Sequence, residues 1–452
     1  MDNSGIRLKL TLFGLVNLFM VTGCFVASWL LYYNNRMSWS YQAKGNSVMS
    51  LLFFVLYFLI IKVYDAFSLG TQRKMELVIS QSLSAVFSDG LMYIVVCLLL
   101  KRFAPVWPFI IVVIAQILII LIWVIVTKKW YYASTSPRRT VLLHNSSKEA
   151  GHLQKEMYYD KRLEVVATMD ILDCLDENFA PLEGAELVFI CADPGSEREA
   201  VIEFCTARKL SFFIVPAVND LLIVSANHVH MFHTPLIQMH MSEPSLIYLF
   251  AKRVMDIVLS VCALLMLWPV FIVVALIIKT YDHGPVFYKQ IRLTKDGREF
   301  ELVKFRSMRV DAEADGVARL STGDNDDRIT PVGKWIRKCR LDELPQLLCI
   351  LKGDMSIVGP RPERPELAAK IEEKLPEFSQ RLQVKAGLTG YAQVYGKYNS
   401  TPREKLQMDM IYISRASLVE DLRLIFTTVR VLFIKESTEG FETHVLEGET
   451  TS

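Results

Sequence analysis

The sequence predicts a membrane protein of the α+β class, with an N-terminal bundle of four transmembrane helices, a Rossmann-like α/β domain and a C-terminal domain that meets the bilayer again. Three observations predict it. Hydrophobic residues make up 52 % of the 452 positions, and the mean hydropathy is positive, as in chains that live in lipid. Four long apolar segments are confined to residues 9–127. From residue 136 onward, short β-type runs alternate with helical stretches, the pattern of a parallel sheet covered by helices. The length allows about three domains. A net charge of +2 is too small to mark a nucleic-acid partner. The eight cysteines are scattered and form no CxxC pair, so they read as free thiols in a reducing compartment.

Residues 1–135 hold the apolar segments, near 9–32, 48–64, 80–100 and 106–127. Each approaches the roughly 20 residues that a bilayer crossing requires. The first is too long for a removed signal peptide and lacks a small-residue cleavage site. Lys62, Arg73 and Lys74 follow the second segment, and Lys128, Lys129, Arg138 and Arg139 follow the fourth. The positive-inside rule then places the N-terminus and everything after residue 128 in the cytoplasm. Asp89 and Gln116 lie inside the third and fourth segments, as helix-packing contacts or as marks of a functional path.

Residues 136–245 contain four β-type runs: Thr140 to His144, Leu163 to Ala167, Glu186 to Ile190 and Ser211 to Pro216. The turn after the first, His144-Asn145-Ser146-Ser147, is no GxGxxG loop, which argues against a dinucleotide site. Residues 246–435 form the third region. It opens with an apolar run of about 252–279, long enough to span and closed by basic residues at both ends. Pro269 in its middle removes a helix hydrogen bond and would kink it. A plain fifth span is the alternative reading.

Beyond it, Gly284 to Gln290 begins an extended element, and Lys295-Asp296-Gly297-Arg298 marks a hairpin turn into Phe300 to Phe305. Lys304 and Arg306 alternate with apolar neighbours, so in a strand they share one face and can reach one anion, although two solvated cations are the blander reading. The acid-rich stretch 311–328 reads as a helix followed by a solvated loop rather than a metal site. Thr330-Pro331 starts a short helix carrying Arg337.

Everything in this region is arranged around Arg337-Lys338-Cys339-Arg340-Leu341-Asp342-Glu343-Leu344-Pro345-Gln346-Leu347. Leu344, Leu347, Leu348 and Leu351 recur at helical spacing, which puts Pro345 in a first helical turn. Asp342 and Glu343 then sit at or just before a helix N-terminus. There the unpaired N–H groups favour a carboxylate or an incoming phosphate, although simple helix capping is the reading an isolated pair would receive. A second polar run ends in Gly359-Pro360-Arg361-Pro362-Glu363. Pro360 and Pro362 fix the backbone around Arg361 and so pre-orient its side chain.

Four motifs now stand in order: Lys304-Phe305-Arg306-Ser307-Met308, Asp342-Glu343-Leu344-Pro345-Gln346-Leu347, Gly359-Pro360-Arg361-Pro362-Glu363 and Gly387-Leu388-Thr389-Gly390. Together they resemble the catalytic domain of the bacterial polyprenyl-phosphate phosphoglycosyl transferases, the monotopic sugar transferase superfamily, in its long form with four N-terminal transmembrane helices. The resemblance covers roughly residues 247–435. It implies transfer of a hexose-1-phosphate from a UDP-sugar, UDP-glucose or UDP-galactose first, to undecaprenyl phosphate with loss of UMP, as the first membrane step of capsule, exopolysaccharide or O-antigen synthesis. It further implies that 252–279 is a re-entrant helix that dips into one leaflet, in a protein of the bacterial inner membrane whose catalytic domain faces the cytoplasm.

By the same resemblance, Asp342 is the nucleophile that forms an aspartyl-phosphosugar intermediate, and Glu343 helps to hold Mg²⁺. Lys304, Arg306, Arg337 and Arg361, with Pro362 and Gln346, bind phosphate and substrate. The expected partners are a UDP-sugar donor, an undecaprenyl phosphate acceptor and membrane lipids, with no nucleic acid and with homo-oligomers allowed. Cys349, Ala386 and Thr294 stand where family members often carry Asn, Pro and Gly. The C-terminal segment Leu422 to Ile434 reads as an amphipathic helix, on the leaflet or packed on the core, and 436–452 as a polar tail. A catalytically silent membrane scaffold or regulator is the competing function, and a glycosyl transferase releasing UDP is a third.

Overall fold

The computed structural model describes residues 3–431 except 38–41, 71, 225–226, 232–233, 239–243, 311, 313–325, 327 and 397–399. Most of the acidic stretch 311–328, the end of the C-terminal amphipathic segment and the polar tail 436–452 therefore lie outside the described residues. The chain divides into two compact units, Met1–Ala217 and Val218–Ser452.

The first unit opens with helices α1 (Asn3–Ser28), α2 (Ala43–Val63), α3 (Lys74–Leu100) and α4 (Trp107–Ser134). α1 runs on through one π-turn and one 3-10 turn to Arg36. These four helices are long and apolar enough to cross a membrane, and each packs on two of the others: α1 on α2 and α4, α3 on α2 and α4. Asp89 and Gln116 are buried inside, and the Gln116 amide donates to Val21 O at 3.3 Å, a contact between helices. Lys128, counted above among flanking charges, is buried too. Its ammonium donates to Leu69 O at 2.5 Å and Gln72 O at 2.7 Å, tying α4 to the segment between α2 and α3.

The α/β layer follows as β1 (Arg138–His144), α5 (Ser147–Tyr159), β2 (Leu163–Asp170), α6 (Ile171–Asp176), β3 (Leu187–Cys191), α7 (Ser196–Ala207) and β4 (Ser211–Ile214). All four strands are parallel, in the order β2-β1-β3-β4. Parallel strands need crossover helices on the sheet faces, which explains the buried run Val141 to Leu143 and the buried Leu187, Val188, Ile190 and Cys191. The sheet ends earlier than residue 245. Helix α8 (Val218–Val224) belongs to the second unit, where Val218 and Leu221 pack on Phe378, Leu406 and Met410.

In the second unit an antiparallel hairpin that the sequence did not announce, β5 (Asn227–Met231) and β6 (Thr234–Gln238), precedes α9 (Leu246–Asp282). α9 is one helix of 37 residues with Pro269 inside it. An antiparallel pair follows, β7 (Phe287–Leu293) and β8 (Glu299–Phe305), joined by a tight turn in which Asp296 and Gly297 both have positive φ. Next come α10 (Pro331–Lys338), α11 (Gln346–Lys352), β9 (Ser356–Val358), α12 (Pro365–Glu372) and β10 (Gly387–Thr389), the last parallel to β9. Helices α13 (Tyr391–Tyr395), α14 (Pro402–Ser414) and α15 (Leu418–Val431) close the described chain. One core unites Phe300 and Leu302 of β8, Leu347 and Ile350 of α11, Ile357 and Val358 of β9, Tyr412 of α14 and Leu424 of α15. The sequence signal for α10 is met: the Thr330 hydroxyl accepts from Gly333 N at 2.9 Å, with Pro331 in the first turn.

Candidate active site

Asp342 and Glu343 lie in a single 3-10 turn, Leu341–Glu343, wedged between α10 and α11. The turn is entered through Arg340, whose φ of +56° is left-handed and reverses the chain after α10. Pro345 stands at the N-cap of α11 rather than within its first turn. Two short helical elements therefore meet at the acids, and the first N–H groups of α11, those of Leu347 and Leu348, bond to Leu344 O and Pro345 O.

Glu343 gathers the cations. Arg361 donates to its Oε1 at 2.8 Å, and Lys304 Nζ and Arg340 stand 3.8 and 3.9 Å from the same oxygen. Burial alone would raise the Glu343 carboxyl, but Arg361, Lys304 and Arg340 hold it well below the usual carboxylate range. Arg361 is raised in return, chiefly by Glu343. Burial pushes the Lys304 ammonium down to about 8, against the pull of Glu343. Asp342 goes the other way. Burial and then the Glu343 charge raise it, while Lys304, Arg337 and Arg340 oppose the rise. Its own burial and the neighbouring Glu343 charge thus work against the ionised form, and the three cations work for it.

The structure brings Lys304, Arg337, Arg340 and Arg361 to the acid pair. It does not bring Arg306. The Arg306 guanidinium is buried, pairs with Asp282 at the end of α9, and donates its Nε to Pro285 O at 2.6 Å. Arg306 follows the last residue of β8, so the alternation that would have put it beside Lys304 has already ended. It clasps α9 to the strand instead. Gln346, at the start of α11, is buried, only 3 % exposed.

Arg361 is aimed by groups that the sequence did not single out. Arg381 donates to Arg361 O at 2.9 Å, and Arg292 donates to Pro362 O at 3.0 Å. Arg381 is itself paired with the buried Asp409 at 2.7 Å. Burial raises the Asp409 carboxyl to about 6, with Arg381 opposing. On the other side, Gly359 N donates to Thr389 O and Gly387 N to Pro360 O, both at 2.8 Å. The contact is so close that a Cβ on Gly359 would stand 2.3 Å from Lys385 O, and one on Gly387 would stand 2.1 Å from Gly359 N. Only glycine fits there.

Two of the residues singled out in the sequence, Thr294 and Ala386, are bonded to each other. The Thr294 hydroxyl accepts from Ala386 N at 3.2 Å and donates to Asp354 O at 2.9 Å. Pro at 386 would offer no N–H, and Gly at 294 would offer no hydroxyl. In this chain the two residues act as a donor and its acceptor.

The eight cysteines are free, as expected. Among the described residues no group of three or more His, Cys, Asp or Glu side chains forms a metal cluster. The donor set suits Mg²⁺ all the same, because that ion takes one or two carboxylates and completes its shell with phosphate oxygens and water. The three ion pairs of Glu343 fall on Oε1, which leaves Oε2 and the Asp342 carboxylate as candidate donors.

The site is thus an acid pair inside a ring of cations, on a domain that carries a helix long and apolar enough to cross a membrane. Comparison with known proteins narrows the class. Residues 247–435 match the family described as bacterial sugar transferase. The chain is 36 % identical over 245 residues to a UDP-N-acetylgalactosamine-undecaprenyl-phosphate N-acetylgalactosaminephosphotransferase of Aeromonas hydrophila, covering 53 % of this chain and 56 % of that protein. It is 43 % identical over 191 residues to a UDP-glucose:undecaprenyl-phosphate glucose-1-phosphate transferase of Xanthomonas campestris pv. campestris, covering 41 % of this chain and 39 % of that one. These two matches thus span about half or less of each relative. A third, to an exopolysaccharide production protein PSS of Rhizobium leguminosarum bv. phaseoli, is 42 % identical over 201 residues and covers 42 % of this chain and 98 % of that protein. The chain belongs to the bacterial sugar transferase family.

Proposed function

We propose that this protein transfers a sugar-1-phosphate from a UDP-sugar to undecaprenyl phosphate with release of UMP, as a first membrane step in exopolysaccharide synthesis. The observation that carries the proposal is the unequal treatment of two adjacent acids: Glu343 is paired through Oε1 with Arg361, Lys304 and Arg340, while Asp342 is raised beside it. A diphosphate entering this ring brings negative charge for the cations to meet. The Asp342 carboxylate is the nucleophile. Its oxygen attacks the phosphorus that bears the sugar, the bond to the bridging oxygen breaks, and UMP departs with that oxygen. An oxygen of the lipid phosphate then attacks the same phosphorus and restores the carboxylate, leaving a lipid diphosphate sugar. Arg361 and Arg337 grip phosphate oxygens, and Lys304 and Arg340 add charge where it builds up. Mg²⁺ held by Glu343 and Asp342 would neutralise part of the diphosphate charge.

α9 supports a membrane mode for the second unit as well. Its first turns touch α11, β9 and α15, and its last turns pack Val274 and Ile278 on Phe305 and Ile336 of the same domain. A straight helix of 37 residues is about 55 Å long. Ends on opposite sides of a bilayer could not both rest on one domain. Between them Leu265, Met266, Trp268, Ile272, Val273 and Leu276 are exposed around Pro269. This supports a dip into one leaflet, and the basic residues that follow α2 and α4 favour the cytoplasmic side of the inner membrane.

The test is nucleotide release by the detergent-solubilised full chain with undecaprenyl phosphate and Mg²⁺, over a panel beginning with UDP-glucose, UDP-galactose and UDP-N-acetylgalactosamine. UMP from one donor, lost in Asp342→Asn, supports the proposal. Release of UDP, or equal activity in the variant, defeats it.

A further inference from the structure

Among the described residues, the strand that delivers Arg361 has one strand neighbour. β9 pairs with β10 along one edge, in a two-stranded sheet. Successive N–H groups of a strand point to opposite edges, so the Ile357 N–H faces away from β10 and needs another acceptor. It has one. The Asp256 carboxylate of α9 accepts from Ile357 N at 3.0 Å, in a contact where Asp256 is 3 % exposed. A carboxylate of the membrane helix thus occupies the place of a third strand, three residues before Pro360-Arg361.

The same end of α9 holds the site's other supports. Arg253 donates to Ile350 O at 2.6 Å and Leu351 O at 2.7 Å, capping the C-terminal end of the helix whose start adjoins the acid pair. Lys252 pairs with the buried Asp421 at 2.9 Å. Tyr412 donates to that carboxylate at 2.8 Å and also lies 3.3 Å from Val358 O. One helical turn of α9 therefore contacts α11, β9 and the network behind β9.

We propose that Asp256 is a positioning residue of the transfer site, fixing through the Ile357 N–H the strand that aims Arg361. The proposal rests on the sugar-phosphate transfer reading above. It makes the anchored end of the membrane helix part of the machinery that orients the phosphate grip, and Asp256 acts only through Arg361. A residue that merely stabilised the fold would act whether or not that arginine were present.

A double-mutant cycle on the full chain in detergent separates these cases, with UMP release read as kcat/KM for the donor. Asp256→Ala should lower it about tenfold in the otherwise unchanged protein, but less than about twofold in an Arg361→Ala background. Asp256→Asn, which retains an acceptor oxygen, should stay within about threefold of the parent. Asp256→Glu displaces the acceptor and keeps the charge, so it should repeat the Ala pattern if the Ala protein fails to accumulate. Equal losses in both backgrounds, or no loss in either, overturn the proposal. Failure of the unsubstituted protein to release UMP would instead count against the transfer reading on which it rests.

Discussion

Lys304 supplies the most discriminating test of the cation ring. Burial brings its ammonium from 10.5 down to about 8, so its charge is lost within a readily assayed range. If the charged form is needed to meet the diphosphate, kcat/KM for the donor should fall above pH 8, to about a tenth of its plateau near pH 9 and tenfold more for each further unit. kcat/KM is the proper quantity because it reports groups of the free enzyme. Unfolding would not mimic this limb. A lysine whose folded pKa is depressed binds fewer protons folded than unfolded between about 8 and 10.5, so its contribution to stability improves as pH rises through that window. Activity should therefore decline while the contribution of this group to stability grows. Lys304→Arg keeps a charge that does not titrate below pH 12 or so, and its profile should stay flat to pH 9.5. A flat profile in the parent protein, or the same limb in Lys304→Arg, would refute the assignment.

Other expectations follow from the same geometry. Thr294→Ala leaves the Ala386 N–H and Asp354 O without their hydroxyl partner and should lower stability by about 1–3 kcal/mol in a thermal or denaturant titration. Combining Thr294→Gly with Ala386→Pro removes donor and acceptor together, so the pair should lose less than the sum of the single changes. Arg381→Met strands the buried Asp409 and should destabilise by about 3–5 kcal/mol, with loss of UMP release because Arg361 O loses its donor. Gly359→Ala should abolish release, since its Cβ would stand 2.3 Å from a backbone oxygen. Arg306→Lys should weaken the clasp on Asp282 seen in thermal stability, with the donor KM changed less than about twofold.

Much of the fold was legible where the physics is local. Apolar runs of membrane length announced α1 to α4 and α9, and β-type runs announced the parallel strands within a few residues. Thr330-Pro331 announced α10 because capping is a matter of neighbouring residues. The acid pair was legible through its flanking charges, but the sharing of those charges was not. That Arg361, Lys304 and Arg340 converge on Glu343 while Arg306 turns to Asp282 depends on where β8 ends and, for all but the local Arg340, on tertiary contacts across some 20 to 40 positions. Asp256, Arg381 and Asp409 gave no signal at all. A lone acid in an apolar helix looks the same in sequence whether it faces water, a lysine or a strand edge. The hairpin β5–β6 was missed because the run between α8 and α9 carries no turn motif of the usual Asn-Gly or Asp-Gly kind.

The central claim is that Asp342 carries the sugar phosphate between donor and acceptor. Incubation of the full chain with Mg²⁺ and its preferred UDP-sugar, but without undecaprenyl phosphate, tests it most directly. The account predicts a burst of about one UMP per protein and a mass increase of one hexose phosphate on the peptide that contains Asp342. Retention of all the nucleotide until the lipid is added, with no mass change on that peptide, would contradict it.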